Sequence, residues 1–214
     1  MQNIKILHIN KGLKAQFTTQ MKLKKAYYLE PNVVKLAKDL LGKVLVTREG
    51  KMVTSGIITE TEAYNGIVDK ASHAYGNRRT NRTEIMFKEG GTSYVYLCYG
   101  IHYLFNVVTN VKDHPHAVLI RAIQPLEGKE IILRRRGIAK PDKKLCVGPG
   151  KVSQALGIDM DYNGLDLTGN KIWIEDRGIK IKPKDIFVGP RIGVDYAGED
   201  AKLPYRFWIE NEIT

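Results

Sequence analysis

The sequence predicts an α+β protein: one domain in which a mixed, mostly antiparallel sheet is surrounded by helices. Three observations predict it. Extended and helical segments mix along the chain without the regular strand–helix–strand alternation that builds a parallel α/β sheet. The 214 residues could form one large domain or two small ones, with length enough for a sizeable core, and no internal repeat, low-complexity linker or composition break divides them. Hydrophobic residues make up 43% of the chain and charged residues 27%, the balance of a folded globular chain rather than a disordered one.

The elements follow in order. Residues 1–20 lack the long apolar stretch of a signal peptide, because Lys5, His8, Lys11 and Lys14 interrupt it. They read as a flexible basic arm ahead of a domain spanning 21–214. Residues 31–41 read as a helix: Pro31 stands at the start, Val33, Val34, Leu36, Ala37, Leu40 and Leu41 recur at helical spacing, and Gly42 stops it. Strands are expected at 43–47 and 53–64, joined as a hairpin by Arg48-Glu49-Gly50-Lys51. Residues 65–88 are polar and Arg-rich, a long functional loop with one helical turn. Residues 92–97 and 102–109 form a second hairpin turning at Tyr99-Gly100, and 117–123 is an apolar strand. A helix is expected at 128–136, its Arg134-Arg135-Arg136 run a solvated basic face or helix end. A short helix follows Pro149 and ends near Gly157, and strands are expected at 171–175, 179–188 and 206–209.

Charge narrows the function. Thirty-four Lys and Arg against 23 Asp and Glu give a net charge of +11, which draws the chain toward polyanions, and a phosphate backbone is the commonest of these. Cys98 and Cys146 form no CxxC pair and no disulfide framework, so a reducing compartment is expected: the cytoplasm with access to DNA in a prokaryote, the nucleus in a eukaryote. No apolar run has the length of a membrane span, so no membrane partner is expected. His114-Pro115-His116 lacks a partner cluster at ligand spacing and reads as a loop between strands, so no metal and no cofactor are expected.

The chemistry concentrates in two segments. In a strand at 53–64, Glu60, Glu62 and Tyr64 point to one face, and Tyr94 and Tyr96 share a face of the next hairpin. Carboxylates beside aromatic rings in a basic chain suit a pocket that holds a flat base while a glutamate activates water. A strand glutamate taken alone is more often a surface charge, and Glu60 with Glu62 could form an acid/base pair. His73 alone reads as a structural histidine. Tyr94 and Tyr96 read as core or half-buried strand residues, whereas Tyr99 beside Gly100 should be an exposed ring able to act as a wedge. Gly148-Pro149-Gly150-Lys151 reads equally as a phosphate contact or a helix start. It lacks the GxxxxGK[ST] pattern of nucleotide hydrolysis.

Taken together, Glu60-Thr61-Glu62-Ala63-Tyr64, His73, Arg78, Met86-Phe87, the run from Gly91 to Tyr96, Tyr99-Gly100, Asn106 and Arg121 resemble the alkyladenine DNA glycosylase family. The likeness continues through Gly148-Pro149, Gln154-Ala155-Leu156, Arg191-Ile192-Gly193-Val194 and Ala197-Gly198-Glu199, and covers almost everything after Tyr27. It implies a compact domain with a curved sheet and a protruding hairpin that probes DNA. It also implies hydrolysis of the N-glycosidic bond of damaged purines in double-stranded DNA (the 3-methyladenine, 7-methylguanine, hypoxanthine and ethenoadenine class), by a monomer. By matching position, Glu62 would be the general base and Arg121, with the backbone carbonyl of Ile192, would position the water. Tyr64, Ala71, His73, Tyr96 and Asn106 would form the base pocket, Asn106 clashing with the 2-amino group of guanine. Tyr99 would fill the space left by the flipped base, and Ile101, Arg78 and Lys151 would contact DNA. No lysine is identified as a Schiff-base nucleophile, so strand cleavage is not expected. Two other readings stay open: a non-catalytic protein of the same fold that binds damaged duplex, and a hydrolase directed at RNA.

Overall fold

The computed structural model describes residues 21–210 and 213, so the basic arm expected at 1–20 lies outside the described residues. Two short elements precede those read from the sequence: β1 (Met21–Lys22) and α1 (Lys25–Tyr28), too short to leave a periodic pattern. Then α2 (Val33–Asp39) forms where the apolar spacing places a helix. Asn32 caps it by accepting the Lys35 N–H at 3.0 Å, and Val33, Leu36 and Ala37 are buried. β2 (Val44–Glu49) and β3 (Met52–Tyr64) form the first hairpin, β4 (Ser93–Cys98) and β5 (His102–Thr109) the second. β6 (His116–Glu127) follows, then α3 (Lys129–Arg136), α4 (Pro149–Leu156), β7 (Ile172–Asp176), β8 (Phe187–Gly189) and β9 (Arg206–Trp208).

The fold is α+β, as the sequence predicts. Every strand pairing among the described residues is antiparallel, in the order β1-β7-β2-β3-β6-β5-β4, with β9 joining β3 and β8 joining β9. The thirteen-residue β3 is the hub: Met52 to Ile57 pair with β2, whereas Glu60 to Glu62 pair with β9. Side-chain alternation then sorts the strands into two faces. Ala63, Val95, Phe105, Val107, Val118 and Ile120 point into the main core, together with α2 and α4 residues such as Leu36, Val152 and Leu156. The opposite row carries Glu62, Leu119, Asn106 and Tyr94, which stand directly across from one another on β3, β6, β5 and β4.

Pairing between β3 and β6 is interrupted twice within a few residues. Thr59 is extra on β3 and Arg121 is extra on β6, so the two bulges cancel and the register beyond them is restored. The peptide groups that the β6 bulge frees are taken by the chain ahead of α4. The Gly148 N–H donates to the Arg121 carbonyl at 2.8 Å, and Ala122 bridges Val147. One local irregularity thus aims Arg121 and docks the N-terminus of α4 beside it.

Three expectations need correction. The loop at 65–88 contains three 3₁₀ turns rather than one, at Gly66–Val68, Tyr75–Asn77 and Glu84–Phe87. It is anchored by Met86 and Phe87, which bury against Tyr94, Val108 and Ala117. The strand expected at 179–188 is reduced to β8, behind a 3₁₀ turn at Pro183–Asp185, because Pro183 offers no N–H to a ladder. The strand expected at 117–123 runs on to Glu127, and Pro125 is tolerated beside a further bulge at Ser55/Gly56.

Candidate active site

The sheet face carrying the Glu62 row does not meet a helix layer. It is walled by the 65–88 loop on one side and by residues 192–196 and the start of α4 on the other, enclosing a cavity of about 800 Å³. Tyr64, Ala71, His73, Tyr96, Asn106, Arg121, Lys151 and Ile192 all line it, as does Tyr99 at its mouth. The structure therefore brings most of the expected residues to one place. Arg78 and Ile101 lie outside the lining: Ile101 is exposed at the hairpin turn, and Arg78 stands near His73 at the surface.

Glu62 has no solvent-exposed surface (0%) and sits beneath the cavity floor. Its Oε1 accepts the Ile192 N–H at 2.8 Å, and its Oε2 accepts the Tyr64 hydroxyl at 2.8 Å. The Arg121 Nη1 stands 3.4 Å from Oε1. Burial raises the Glu62 pKa above the ordinary glutamate value, against the lowering effects of Arg121, the Ile192 N–H and the Tyr64 hydroxyl. The result is a buried carboxylate with enhanced basicity. Ile192 meets Glu62 through its N–H, whereas the resemblance implies a role for its carbonyl.

Glu60 plays another part. Its Oε1 accepts from Arg121 Nε and from Arg206 Nη1, each at 3.1 Å, so it is an ion-pair hub rather than a free acid. Arg206 reaches this point because β9 pairs with β3 and places it opposite Glu62. The segment that delivers Ile192 is fixed by its neighbour Arg191. The buried Arg191 guanidinium donates to both oxygens of Asp69 and to the Ala63 carbonyl, and lies 4.9 Å from the centre of the Tyr64 ring. Gly193, at φ +77°, lets the chain turn immediately after Ile192.

The aromatic wall is built from β4 and the 65–88 loop. The His73 and Tyr96 rings meet edge to face with centroids 4.8 Å apart, and the Tyr94 hydroxyl is 2.8 Å from His73 Nδ1. Tyr94 is buried in a core cluster with Met86, Phe87, Val108 and Ala117, as its reading as a core or half-buried strand residue predicts; it also lines the cavity, and its hydroxyl orients His73. Arg82 adds a guanidinium 4.6 Å over the Tyr96 ring and 3.4 Å from His73 Nε2. Arginine can only donate, so Nε2 accepts and Nδ1 carries the ring proton. Burial and the charges of Arg82 and Arg78 push the His73 pKa down to about 4, so the ring is neutral at physiological pH. Asn106 donates its Nδ2 to the Tyr94 carbonyl at 3.1 Å and to the Leu104 carbonyl at 3.4 Å. Those bonds hold the amide in place on the cavity floor.

At the mouth, Tyr99 is 90% exposed and adopts φ +50°, with Gly100 next at φ +73°. A bulky residue seldom takes a left-handed conformation, and here it projects the ring away from the sheet. Ile101, 69% exposed, completes an apolar tip. On the opposite rim, α4 starts at Pro149 with Gly148, Gly150 and Lys151 facing the cavity, and Lys151 Nζ donates to the Lys144 carbonyl at 3.3 Å. Tyr196, largely exposed, closes the third side and donates its hydroxyl to the Ala71 carbonyl at 3.1 Å. Arg82, Tyr196 and Arg206 were not singled out from the sequence: each is an ordinary residue type in an irregular segment or short strand, and only the fold brings it here. Among the described residues no three His, Cys, Asp or Glu side chains gather as a metal site, and no helix is long and apolar enough to cross a membrane.

Comparison with known proteins shows the family. A protein from Chlamydia abortus is 50% identical over 188 residues, covering 87% of this chain and 97% of its own. One from Bacillus licheniformis is 47% identical over 184 residues, covering 86% and 91%, and one from Clostridium perfringens 42% over 199, covering 89% and 97%. All three carry the provisional name 3-methyladenine DNA glycosylase. The sequence profile of methylpurine-DNA glycosylase matches residues 27–213, which takes in every strand and loop of the cavity. The chain therefore belongs to the methylpurine-DNA glycosylase family.

Proposed function

We propose that this protein excises damaged purines from double-stranded DNA by hydrolysing the N-glycosidic bond. The observation that carries the reading is Glu62: a buried carboxylate with raised basicity, under a cavity walled by aromatic rings and opening beside an exposed tyrosine. A base within the duplex is out of reach, so the target nucleotide must leave the stack, at a cost of a few kcal/mol. Tyr99 offsets part of that cost by filling the gap. Tyr64, His73 and Tyr96 receive the base, and stacking on an aromatic ring is worth roughly 1–3 kcal/mol. Ala71 leaves room beside them, and Asn106 meets the edge at which guanine differs from adenine and hypoxanthine.

In the chemical step, water attacks C1′ of the deoxyribose while Glu62 takes its proton, and the electron pair of the broken bond departs with the base. A purine alkylated at N3 or N7 carries a positive charge and leaves as a neutral molecule without further protonation, whereas a neutral lesion such as hypoxanthine leaves as an anion that takes a proton from solvent. Arg121 helps to place the water. Glu62 is covered by Tyr64, Arg121 and Ile192, so water enters as the Tyr64 hydroxyl or the segment at Ile192 shifts. The reaction stops at the abasic site. Lys151 lies on the cavity rim and, with Arg78 and Ile101, serves the DNA backbone and groove. The protein acts as a monomer.

The test is incubation with duplexes carrying each lesion, followed by hot alkali to break abasic sites. Lesion-dependent cleavage supports the reading. Tight binding to lesion duplexes with no base released would make the protein a damage-binding member of the family instead, and release from RNA alone would redirect it to RNA.

A further inference from the structure

Glu60, the carboxylate that the mechanism does not use, stands between two cations and the base. Four charged groups cluster under the cavity, which Arg121 alone of them lines. Glu60 and Glu62 lie two residues apart on β3, Arg121 enters from the bulge of β6, and Arg206 comes from β9. All four side chains are largely or wholly buried, at 12%, 0%, 11% and 21% exposure. Two carboxylates balance two guanidiniums, but the pairing is unequal. Arg121 gives Nε to Glu60 at 3.1 Å and only approaches Glu62, at 3.4 Å. Arg206 is opposite Glu62 in the ladder, yet its Nη1 goes to Glu60 at 3.1 Å, its Nε goes to the Pro190 carbonyl, and its guanidinium lies 4.1 Å from the centre of the Trp208 ring. Both arginines are drawn toward Glu60.

We propose that Glu60 is a positioning residue that holds Arg121 and Arg206 off the Glu62 carboxylate, keeping Glu62 free to accept a proton from water. This rests on the reading of Glu62 as the general base. An arginine that forms a short, two-pronged pair with a carboxylate stabilises its charged form and weakens it as a base. Here the bond from Nε to Glu60 fixes the Arg121 guanidinium, and its Nη1 only approaches Glu62, at 3.4 Å. The groups facing Glu62 are Glu60 and Tyr64 on β3, Arg121 on β6, Arg206 on β9, and the Ile192 N–H. Arg191 lies behind Tyr64 and is committed to Asp69. With Glu60 neutralised, Glu62 is the one carboxylate left between the two cations.

The experiment compares the pH profile of single-turnover base release for wild type, E60Q, E60D and the double variant E60Q/R206Q. E60Q should move the acid limb down by about one pH unit and lower the plateau several-fold, since a base weakened by one unit is a poorer proton acceptor. E60D keeps the charge and should leave the limb in place. The double variant removes the surplus cation and should bring the limb back toward wild type, whereas a merely structural Glu60 predicts added damage. Titration of Glu62 by carbon NMR in labelled protein reads the same shift without turnover. An E60Q limb and titration at the wild-type position, or equal shifts in E60D and E60Q, overturns the proposal. If the wild type releases no base while the NMR shift appears, the glycosylase reading fails and the charge arrangement stands.

Discussion

A single burial decides the chemistry at Glu62. Removing a carboxylate from water disfavours its charged form, and the neighbouring Arg121, Ile192 N–H and Tyr64 hydroxyl recover only part of that cost. Because the folded pKa lies above the unfolded one, the protonated form is favoured by folding. The stabilisation is complete below the unfolded pKa and is lost as pH rises through the folded value. At neutral pH the ionised Glu62 therefore burdens the fold, a cost that its proposed role as general base requires. Glu62→Gln should abolish base release by roughly two to four decades, leave binding to lesion duplex intact, and leave the melting temperature equal or higher. A fall in melting temperature together with near-normal release would remove Glu62 from its role. For the wild type, release should decline as pH falls through the raised pKa of Glu62, with the acid limb above the ordinary glutamate range. His73, at about 4, should add nothing to the profile above pH 5. A limb at the unperturbed glutamate value would contradict the burial. At the next row, Asn106→Ser should increase release of guanine from G·T mismatches while changing hypoxanthine release little. It should also cost about 1 kcal/mol of stability, as two bonds from Nδ2 to backbone carbonyls are lost. Equal loss on both substrates would make Asn106 purely structural.

The elements matter through their irregularities. The paired bulges at Thr59 and Arg121 put a cation beside two carboxylates without disturbing the register on either side, and the freed peptide groups dock α4. The β4–β5 hairpin ends in two consecutive left-handed residues, which place Tyr99 far from the sheet that supports it. Substituting Tyr99 by serine should weaken binding to lesion and abasic duplexes by tenfold or so, the worth of roughly 1–3 kcal/mol of stacking. Excision from single strands should suffer much less. Comparing dissociation constants on duplex with single-turnover rates on single strands checks this. Unchanged binding with collapsed activity would put Tyr99 in the chemistry rather than in the groove.

For the whole molecule, the net charge of +11 sets the long-range behaviour. Cations surround the cavity mouth: Arg82, Arg136 and Lys151 on its lining and Arg78 nearby. Binding to undamaged duplex should fall steeply with salt, because each neutralised phosphate releases counterions. With on the order of three to five phosphate contacts, log K against log salt should have a slope of about −2.7 to −4.5. A flat plot would show that the charge has no part in binding.

The sequence by itself determined the helix at Val33–Asp39, both hairpins, the alternation that puts Glu62, Tyr64 and Tyr96 on strand faces, and the exposed Tyr99. These are properties of neighbours in the chain, where a period of two or of 3.6 and a glycine at a turn are enough. The motif ETEAY with His73 and YVYLCYG also carried the family. What only the tertiary structure decided lies between segments far apart in sequence. Glu60 became an ion-pair hub because β9 arrives beside β3 from 146 residues away. The Ile192 N–H reached Glu62 because Arg191 is pinned to Asp69, and the buried Tyr94 is also the partner of His73 because the 65–88 loop folds over it. Residues 179–188 read as a strand because their side chains suit one, but strand pairing needs N–H groups and a free edge, and Pro183 removes the first. Local pattern fixes which way a side chain points. Its partners and its basicity depend on which distant segment is packed against it.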